Sequence, residues 1–377
     1  MPPGCFPRLI YLGQRVLAGS HLCLDGFSEN EITMVLEMRW MKRTLSRRNV
    51  LLTLLFGLIH PGAFRDQALA AVESPSNVLT ITLAEDSKNL RISAAKGRYG
   101  TRIDKADFRR KTLDLYKGLE SRRLADAAGQ RMIENLGREI LGPFQALIET
   151  ADEVVFVVSD GLVETPLDLL YHKGKPLFLQ KPVSYRVTQP TKQGSGFSWP
   201  VSALVVSDAS ADPERAAATV ASNFAKSTYL DVSKVDPPYL RRQPAYNLLL
   251  MSVHGRIDNT TADHVVLGSG STGSADDFLM IKPKLAYFDS CRLGVSSRFL
   301  KAFTAIGSLY YVAPIFSNEA GNSSTKTMLW FFNHLGQGAR PEIALFLSRK
   351  KLWETYREDT FARRVWRSFP FRMYRLN

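Results

Sequence analysis

The chain has 377 residues, of which 45% are hydrophobic and 23% are charged, a composition typical of one large or two ordinary globular domains. Its formal net charge of +13 would allow attraction to nucleic acid, anionic lipid or acidic protein. No basic stretch stands out as a nucleic-acid-binding motif, so we expect no nucleic-acid partner.

Residues 41–70 have the three parts of a secretory signal. A basic segment, Met41–Arg48, is followed by a modestly apolar run, Val50–Ile59, and then by the small-x-small cleavage site Ala68-Leu69-Ala70. Within the basic segment, Ser46-Arg47-Arg48 resembles the core of a bacterial twin-arginine export signal. The apolar run is too short to span a bilayer as a mature helix, so we expect no stable membrane span.

This signal-like segment predicts an exported protein, periplasmic or secreted, that begins at Ala71, and it makes residues 1–40 a doubtful N-terminal extension. The alternative is a cytoplasmic protein in which residues 41–70 contain only a stray amphipathic helix. Cys5 and Cys23 lie in the part that export would remove, so Cys291 would be the only cysteine of the mature chain. A single cysteine forms neither an internal disulfide nor a cysteine-based metal site, and no His, Asp and Glu cluster has metal-ligand spacing.

Residues 71–150 are predicted to form the N-terminal part of the domain, with strands followed by helices. Alternating apolar residues within 77–100 indicate one or two short strands, and apolar residues at helical spacing within 104–150 indicate two or three helices. Gly142-Pro143 breaks or restarts the helical pattern.

Residues 151–377 alternate between strand and helix patterns, which predicts an α/β domain with a mostly parallel sheet and helices on both of its faces. The predicted strands are Val154–Val158, a hairpin strand at Tyr185–Val187, Val201–Val206, Tyr246–Val253, Leu285–Phe288, Leu309–Val312, and an edge strand near Phe369–Tyr374 in the basic tail. The predicted helices are Pro213–Phe224, Arg298–Ile306, one that Asn322 or Ser323 caps and that runs to Leu335, and Pro341–Tyr356.

Two of these strands end in residues that carry chemistry. His254-Gly255 follows one strand, and Asp289-Ser290-Cys291 follows another. Because ligands bind at the carboxyl ends of parallel strands, the imidazole and the thiol are expected to face one crevice. A nearby imidazole can take the proton of a thiol and leave the nucleophilic thiolate. The alternative for a lone cysteine, a small buried hydrophobic residue, fits this polar position less well.

The pair predicts acyl transfer, in which Cys291 attacks an amide, His254 protonates the leaving amine and water completes the hydrolysis. The N–H groups of Gly255 and Cys291 would form the oxyanion hole. A helix that follows Cys291 is expected to lower the pKa of the thiol further.

These motifs resemble those of the caspase-like cysteine peptidases, and specifically the CHAT domain, a bacterial branch related to separase. The resemblance covers roughly residues 85–377 and is clearest from residue 150. Its other matches include Ser159-Asp160-Gly161-Leu162, Pro213–Ala217, Val312-Ala313-Pro314, Glu319, Ser324, Phe331-Phe332, Gly338 and Trp366.

The resemblance implies a caspase-like catalytic domain over residues 151–377, with His254 as general base and acid and Cys291 as nucleophile. It also implies a protein or peptide substrate. We expect no cofactor, because the Gly-Ser-Gly-Ser stretch at 268–271 lacks the Gly-Lys-Ser/Thr ending of a phosphate loop.

The residues around the nucleophile depart from the CHAT pattern, since Ser290-Cys291-Arg292-Leu293 stands where Ala-Cys-Glu-Thr/Ser is common. Asp289 is closer to the metacaspase sequence, in which this Asp lines a pocket for a basic P1 residue. Asp289 is therefore a substrate-binding candidate that would select Arg or Lys through charge-assisted hydrogen bonds. The alternative is that Asp289 caps the turn by accepting hydrogen bonds from nearby backbone N–H groups.

A second function remains open, namely a catalytically silent CHAT module that acts as a protein-interaction or scaffold domain. The missing Glu after the cysteine favours it, and so does an oxidising compartment, where an exposed thiolate is easily oxidised. CHAT domains often follow tetratricopeptide repeats, and the sequence contains no 34-residue repeat. A separate partner or activator protein is therefore a further candidate partner.

Overall fold

The computed structural model describes residues 77–94, 98–122, 126–187, 198–257 and 263–376. The predicted extension at residues 1–40 and the predicted signal at residues 41–70 lie outside the described residues. In the described part of the chain, no helix is both long enough and apolar enough to cross a membrane.

The described strands form one large sheet and two small ones. They are β1 (Val78–Glu85), β2 (Asn89–Ala94), β3 (Tyr99–Asp104), β4 (Glu153–Val157), β5 (Tyr171–His172), β6 (Lys175–Pro176), β7 (Val183–Arg186), β8 (Ser202–Ser207), β9 (Lys226–Asp231), β10 (Leu248–Ser252), β11 (Gly255–Arg256), β12 (His264–Val266), β13 (Thr272–Ser274), β14 (Leu285–Asp289), β15 (Tyr310–Pro314) and β16 (Phe371–Arg375).

The large sheet has 11 strands in the order β3-β2-β1-β4-β7-β16-β15-β14-β10-β8-β9. Its neighbours pair in parallel except at β3–β2, β2–β1 and β15–β16, which are antiparallel. The prediction of an α/β fold with a mostly parallel sheet is confirmed, and the architecture is consistent with a caspase-like α/β fold.

Helices cover both faces of the sheet. They are α1 (Lys105–Glu120), α2 (Asp126–Ile140), α3 (Gln145–Thr150), α4 (Ala216–Ala221), α5 (Pro237–Arg241), α6 (Ser297–Ala305), α7 (Ser323–Gly336), α8 (Pro341–Thr355) and α9 (Phe361–Ser368). Strand β10 illustrates the two layers, because its successive side chains point to opposite faces. Leu249 and Met251 pack into the core beneath α1, α2, α6 and α9, whereas Leu248 and Leu250 pack into the core beneath α4, α7 and α8.

The N-terminal part extends the same sheet rather than forming a separate layer. Strand β1 pairs in parallel with β4, and β2 and β3 continue the sheet outward as an antiparallel meander. The sequence predicted one or two strands here and missed β3, which has exposed or partly exposed residues throughout and therefore lacks an apolar pattern. The sequence predicted two or three helices in this part, and three are present, α1, α2 and α3.

Two predictions for strands at the middle of the sheet were wrong. The strand near Tyr185 is not a hairpin strand, since β7 lies between β4 and β16 and is parallel to both. The basic tail is not an edge strand either. Strand β16 lies inside the sheet between β7 and β15, with Arg372 fully buried, and Arg363, Arg364 and Arg367 belong to helix α9, which the sequence did not predict.

Buried charge explains how β16 tolerates arginine at the centre of the sheet. Asp168 lies between two buried arginines. Arg349 Nη1 is 2.8 Å from its Oδ2, and Arg372 Nη2 is 3.9 Å from its Oδ1. The hydroxyl of Tyr185 donates to the same carboxylate at 2.7 Å. Arg372 also donates to the backbone carbonyl of Thr165 at 2.9 Å. The network ties the segment after β4 to α8 and to the last strand.

Candidate active site

The register of three neighbouring strands brings the predicted residues to one edge of the sheet. Ser207 at the end of β8 lies opposite Ser252 at the end of β10, which lies opposite Asp289 at the end of β14. The chain segments that follow these residues therefore start side by side. His254 comes two residues after Ser252 and Cys291 two residues after Asp289, so neighbouring parallel strands carry the imidazole and the thiol.

The backbones of the two predicted motifs are in direct contact. A Cβ placed on Gly255 would lie 2.7 Å from the carbonyl oxygen of Cys291 and 3.1 Å from its backbone nitrogen. Real Cβ atoms do not approach backbone atoms so closely, so the site requires glycine at position 255. This contact places the two backbone nitrogens that the sequence nominated for an oxyanion hole in neighbouring peptide units.

The imidazole of His254 is exposed and hydrogen-bonds to a serine of the third strand end. Its Nε2 lies 2.9 Å from Ser210 Oγ. The hydroxyl of Ser210 also donates to Asp208 Oδ1 at 2.7 Å. In the described part of the chain, the imidazole and the Cys291 thiol are not hydrogen-bonded to each other. The structure thus brings the two motifs together through their backbones, while the imidazole is held from the side of Ser210.

The thiol of Cys291 is half-buried, and its surroundings favour the protonated form. Burial raises the pKa of the thiol, and the nearby carboxylates of Asp289 and Glu120 raise it further. The backbone N–H of Asn318 and the hydroxyl of Ser317 act in the opposite direction. The net shift is upward, so the expectation of a lowered thiol pKa was wrong for this geometry.

The reason lies in the chain that follows the cysteine. Arg292 adopts a left-handed conformation with φ of 63°, and a short 3-10 turn, Leu293–Val295, comes next. Helix α6 begins only at Ser297, capped by Ser296, so its N-terminus is several residues beyond the thiol. Helix ends influence groups within about one turn, so α6 does not supply the stabilisation that the sequence suggested.

Asp289 is buried, and its hydrogen bonds come from side chains. Ser252 Oγ donates to Oδ2 at 3.0 Å, while Asn318 Nδ2 and Ser324 Oγ donate to Oδ1 at 2.6 and 2.5 Å. Burial nevertheless raises its pKa to about 6, against the effect of these donors. The described hydrogen bonds do not include one from a backbone N–H of the turn, so the alternative of a simple turn cap was wrong.

A second buried carboxylate lies close to this site. Asp212 accepts hydrogen bonds from the backbone N–H groups of Ala216 and Ala217 at 2.8 and 2.9 Å, at the start of α4. Burial raises its pKa, and its charge contributes to the raised pKa of Asp289. Neither carboxylate forms an ion pair with a described lysine, arginine or histidine, although the positive charge of Arg215 acts on Asp212 and lowers its pKa.

The helix that begins at Asp212's hydrogen-bond partners is shorter than predicted. The sequence predicted a helix over Pro213–Phe224, but α4 spans only Ala216–Ala221, because Arg215 is left-handed with φ of 57°.

Sequence reasoning missed several residues that contact the predicted ones. Ser210, Ser317 and Asn318 lie just after β8 and β15, and the rule that singled out His254 and Cys291 would have found them if it had been applied to every strand end. Glu120 lies at the end of α1 and accepts from the N–H and the hydroxyl of Ser317 at 2.9 and 2.6 Å. No sequence signal connects a helix residue to a loop almost 200 positions later.

The described residues contain no group of three or more His, Cys, Asp or Glu side chains that could hold a metal ion. Comparisons with known proteins do not assign the site: no protein-family model matches the chain, and no curated protein matches it significantly. The CHAT resemblance therefore rests on the residues and spacings quoted above.

Proposed function

We propose that the chain is a CHAT-type cysteine endopeptidase in which His254 and Cys291 hydrolyse a peptide bond. The observation that carries the proposal is the backbone contact between Gly255 and Cys291 at the carboxyl edge of the sheet. The contact between the backbones supports mutual reach of the imidazole and the thiol, which is the first requirement for a nucleophile and its base.

The reaction begins when the imidazole of His254 takes the proton of the Cys291 thiol. The thiolate attacks the carbonyl carbon of the substrate, and the N–H groups of Gly255 and Cys291 bind the oxygen that becomes negative. The imidazolium then gives its proton to the leaving amine, which leaves a thioester. Water, deprotonated by His254, attacks the thioester, and the proton returns to the sulfur as the carboxylic acid product leaves.

The proposed substrate class is a peptide with Arg or Lys at P1. Asp289 supplies the negative charge, Asp212 adds to it, and Asn318 Oδ1 is a buried acceptor that has no hydrogen-bond partner among the described residues. A guanidinium has five donors and no acceptor, so it complements carboxylate and amide oxygens. A substrate panel with Arg, Lys, Asp and Asn at P1 tests this claim. Cleavage after Asp or Asn at a rate equal to that after Arg and Lys would rule it out.

The experiment for the dyad is alkylation of Cys291 with iodoacetamide, followed by mass spectrometry of the tryptic peptide Leu285–Arg292. The peptide contains Cys291 alone, so labelling of Cys5 and Cys23 does not interfere. We expect His254→Ala to slow labelling at pH 7 at least about tenfold, because the variant lacks the base. His334→Ala, on helix α7, is the matched control and leaves the rate unchanged. Equal rates for wild type and His254→Ala would refute the dyad.

A second candidate function is a catalytically silent CHAT module that acts as an interaction or scaffold domain. The raised pKa of the Cys291 thiol favours it, and so does the hydrogen bond of His254 to Ser210 rather than to the thiol. In that case Cys291 labels no faster than free N-acetylcysteine, with or without His254.

We further propose export of the protein, on the basis of the signal-like segment at 41–70, and cell fractionation tests this proposal.

A further inference from the structure

We propose that Ser210 is a positioning residue that works with Asp208 to fix the tautomer of the His254 imidazole, so that Nδ1 is the base for Cys291. The proposal rests on the proposed cysteine peptidase function. It assigns a role to the loop after β8, which the proposed reaction does not use.

The hydrogen bonds of this loop determine where the Ser210 proton goes. Asp208 Oδ1 accepts from the backbone N–H of Ser210 at 2.8 Å and from its hydroxyl at 2.7 Å. A hydroxyl has one proton, and a carboxylate has none to give, so Ser210 donates to Asp208. The backbone bond closes an Asx turn that holds the serine in place.

The same hydroxyl oxygen lies 2.9 Å from His254 Nε2. Because its proton is committed to Asp208, the oxygen can only accept, and Nε2 must carry the hydrogen. In a neutral imidazole one nitrogen is a donor and the other an acceptor, so Nδ1 holds the free lone pair. The Asp208–Ser210 pair thereby selects one of the two tautomers.

Strand order puts this base in the correct place. β10 lies between β8 and β14, so His254 stands between Ser210 on one side and Cys291 on the other. An imidazole that is anchored through Nε2 toward β8 leaves its opposite nitrogen for the β14 side. When Nδ1 takes the thiol proton, the charge of the imidazolium is stabilised through Nε2–H, the serine hydroxyl and the Asp208 carboxylate.

The test measures the rate of Cys291 alkylation between pH 5.5 and 9 in the full chain, again on the peptide Leu285–Arg292. Ser210→Ala removes the acceptor for Nε2–H. We expect labelling at pH 7 to fall roughly tenfold, a part of the effect of about a hundredfold or more that a positioned base contributes. We also expect the pH of half-maximal labelling to rise, because the thiolate–imidazolium pair loses its stabilisation. Asp289 and Glu120, which face the thiol, are unchanged in this variant.

Two conservative variants separate positioning from folding. Ser210→Thr keeps the hydroxyl and should restore the wild-type rate and pH midpoint. Asp208→Asn keeps an acceptor for the Asx turn but removes the charge, so its pH midpoint should move in the same direction as that of Ser210→Ala. Ser222→Ala, at an exposed serine whose hydroxyl donates to the carbonyl of Thr219, is the control without effect.

The outcomes distinguish the proposal from the function beneath it. If His254→Ala slows labelling while Ser210→Ala behaves as wild type, the dyad stands and the role of Ser210 is refuted. If Ser210→Ala labels faster than wild type, the serine holds the imidazole away from the thiol, and the positioning role is again refuted. If neither His254→Ala nor Ser210→Ala differs from wild type, the proposed function itself fails.

Discussion

Gly255 and Cys291 are in backbone contact, with space for a hydrogen but not for a methyl group between them. Alanine at position 255 would place its Cβ 2.7 Å from the Cys291 carbonyl oxygen, and a backbone atom cannot move aside as a flexible side chain can. The two proposed oxyanion donors depend on this contact, because any separation of the peptide units changes the angle between their N–H groups.

Gly255→Ala should therefore reduce both stability and reactivity. We expect a loss of about 1–3 kcal/mol in the free energy of unfolding, typical of a forced steric clash, and loss of peptide cleavage. Urea denaturation and the substrate panel measure the two effects. Gly142→Ala is the matched control, since a Cβ there meets no atom of the described part of the chain within 4 Å. An active and fully stable Gly255→Ala variant would contradict the proposed arrangement of donors.

Asp289 should reduce the stability of the folded protein at neutral pH. Its pKa is about 6 in the folded state and 3.8 in its ordinary state. The folded protein thus binds the proton more tightly than the unfolded chain, and the free energy of unfolding falls as pH rises from about 4 to about 6. At one pKa unit per 1.36 kcal/mol, the accumulated loss is about 3 kcal/mol above that range.

Asp289→Asn removes the ionisation and should stabilise the fold. The gain should approach 3 kcal/mol at pH 8 and be about half as large at pH 5, where Asp289 is mostly protonated. Asp277→Asn is the contrasting control, because Asp277 is equally buried but is bound to Arg241 at 2.7 Å. That variant should lose stability. If Asp289→Asn is no more stable than wild type at pH 8, burial of the ionised carboxylate does not lower the free energy of unfolding.

Asp168→Asn should strongly destabilise the protein. The substitution leaves Arg349 and Arg372 buried beside each other without their shared carboxylate. Breaking a buried ion pair by removing one partner costs about 3–5 kcal/mol, because the remaining charge has lost its compensation. Urea denaturation measures the loss, and Glu134→Gln, which removes an exposed partner of Arg138, should leave the midpoint unchanged. A loss of stability as small as that of the control would mean that backbone carbonyls alone stabilise the buried arginines.

The sequence predicted the parts of the fold that follow from local pattern. The strands β4, β8, β10 and β14 are buried along their whole length apart from one residue, as central parallel strands require. Their apolar runs therefore allowed the sequence to predict them. The last strand was misplaced because Arg372 is charged, and charge normally marks an exposed position. The tertiary positions of Asp168 and of the backbone carbonyl of Thr165 make that arginine compatible with the centre of a sheet.

The candidate site divides in the same way. His254, Gly255, Asp289 and Cys291 stand at strand ends, and the strand register alone brings them to one edge. The pKa of the thiol could not be predicted, because it depends on the depth of burial and on Glu120, which arrives from a distant helix. The spacing of residues near Cys291 in the sequence does not reveal a charge that a distant helix contributes.

Glu120 offers a way to change the thiol without touching either proposed catalytic residue. Its carboxylate raises the pKa of Cys291, and it also accepts a hydrogen bond from the hydroxyl of Ser317 at 2.6 Å. Glu120→Gln removes the negative charge, and the amide group can donate to Ser317 in place of accepting from it. The serine hydroxyl, which already lowers the pKa of the thiol, can then donate to the sulfur without competition from the carboxylate. Both changes favour the thiolate.

The pKa of Cys291 should therefore fall in Glu120→Gln, and alkylation of the peptide Leu285–Arg292 at pH 7 should accelerate on the order of two- to fivefold. The gain should disappear above the pKa of the thiol, where both proteins are fully ionised, so the two pH profiles converge at high pH. Glu134→Gln, which removes the same charge from the neighbouring helix α2, should leave the profile unchanged. A rate in Glu120→Gln equal to wild type across the whole pH range would mean that burial alone sets the protonation of this thiol.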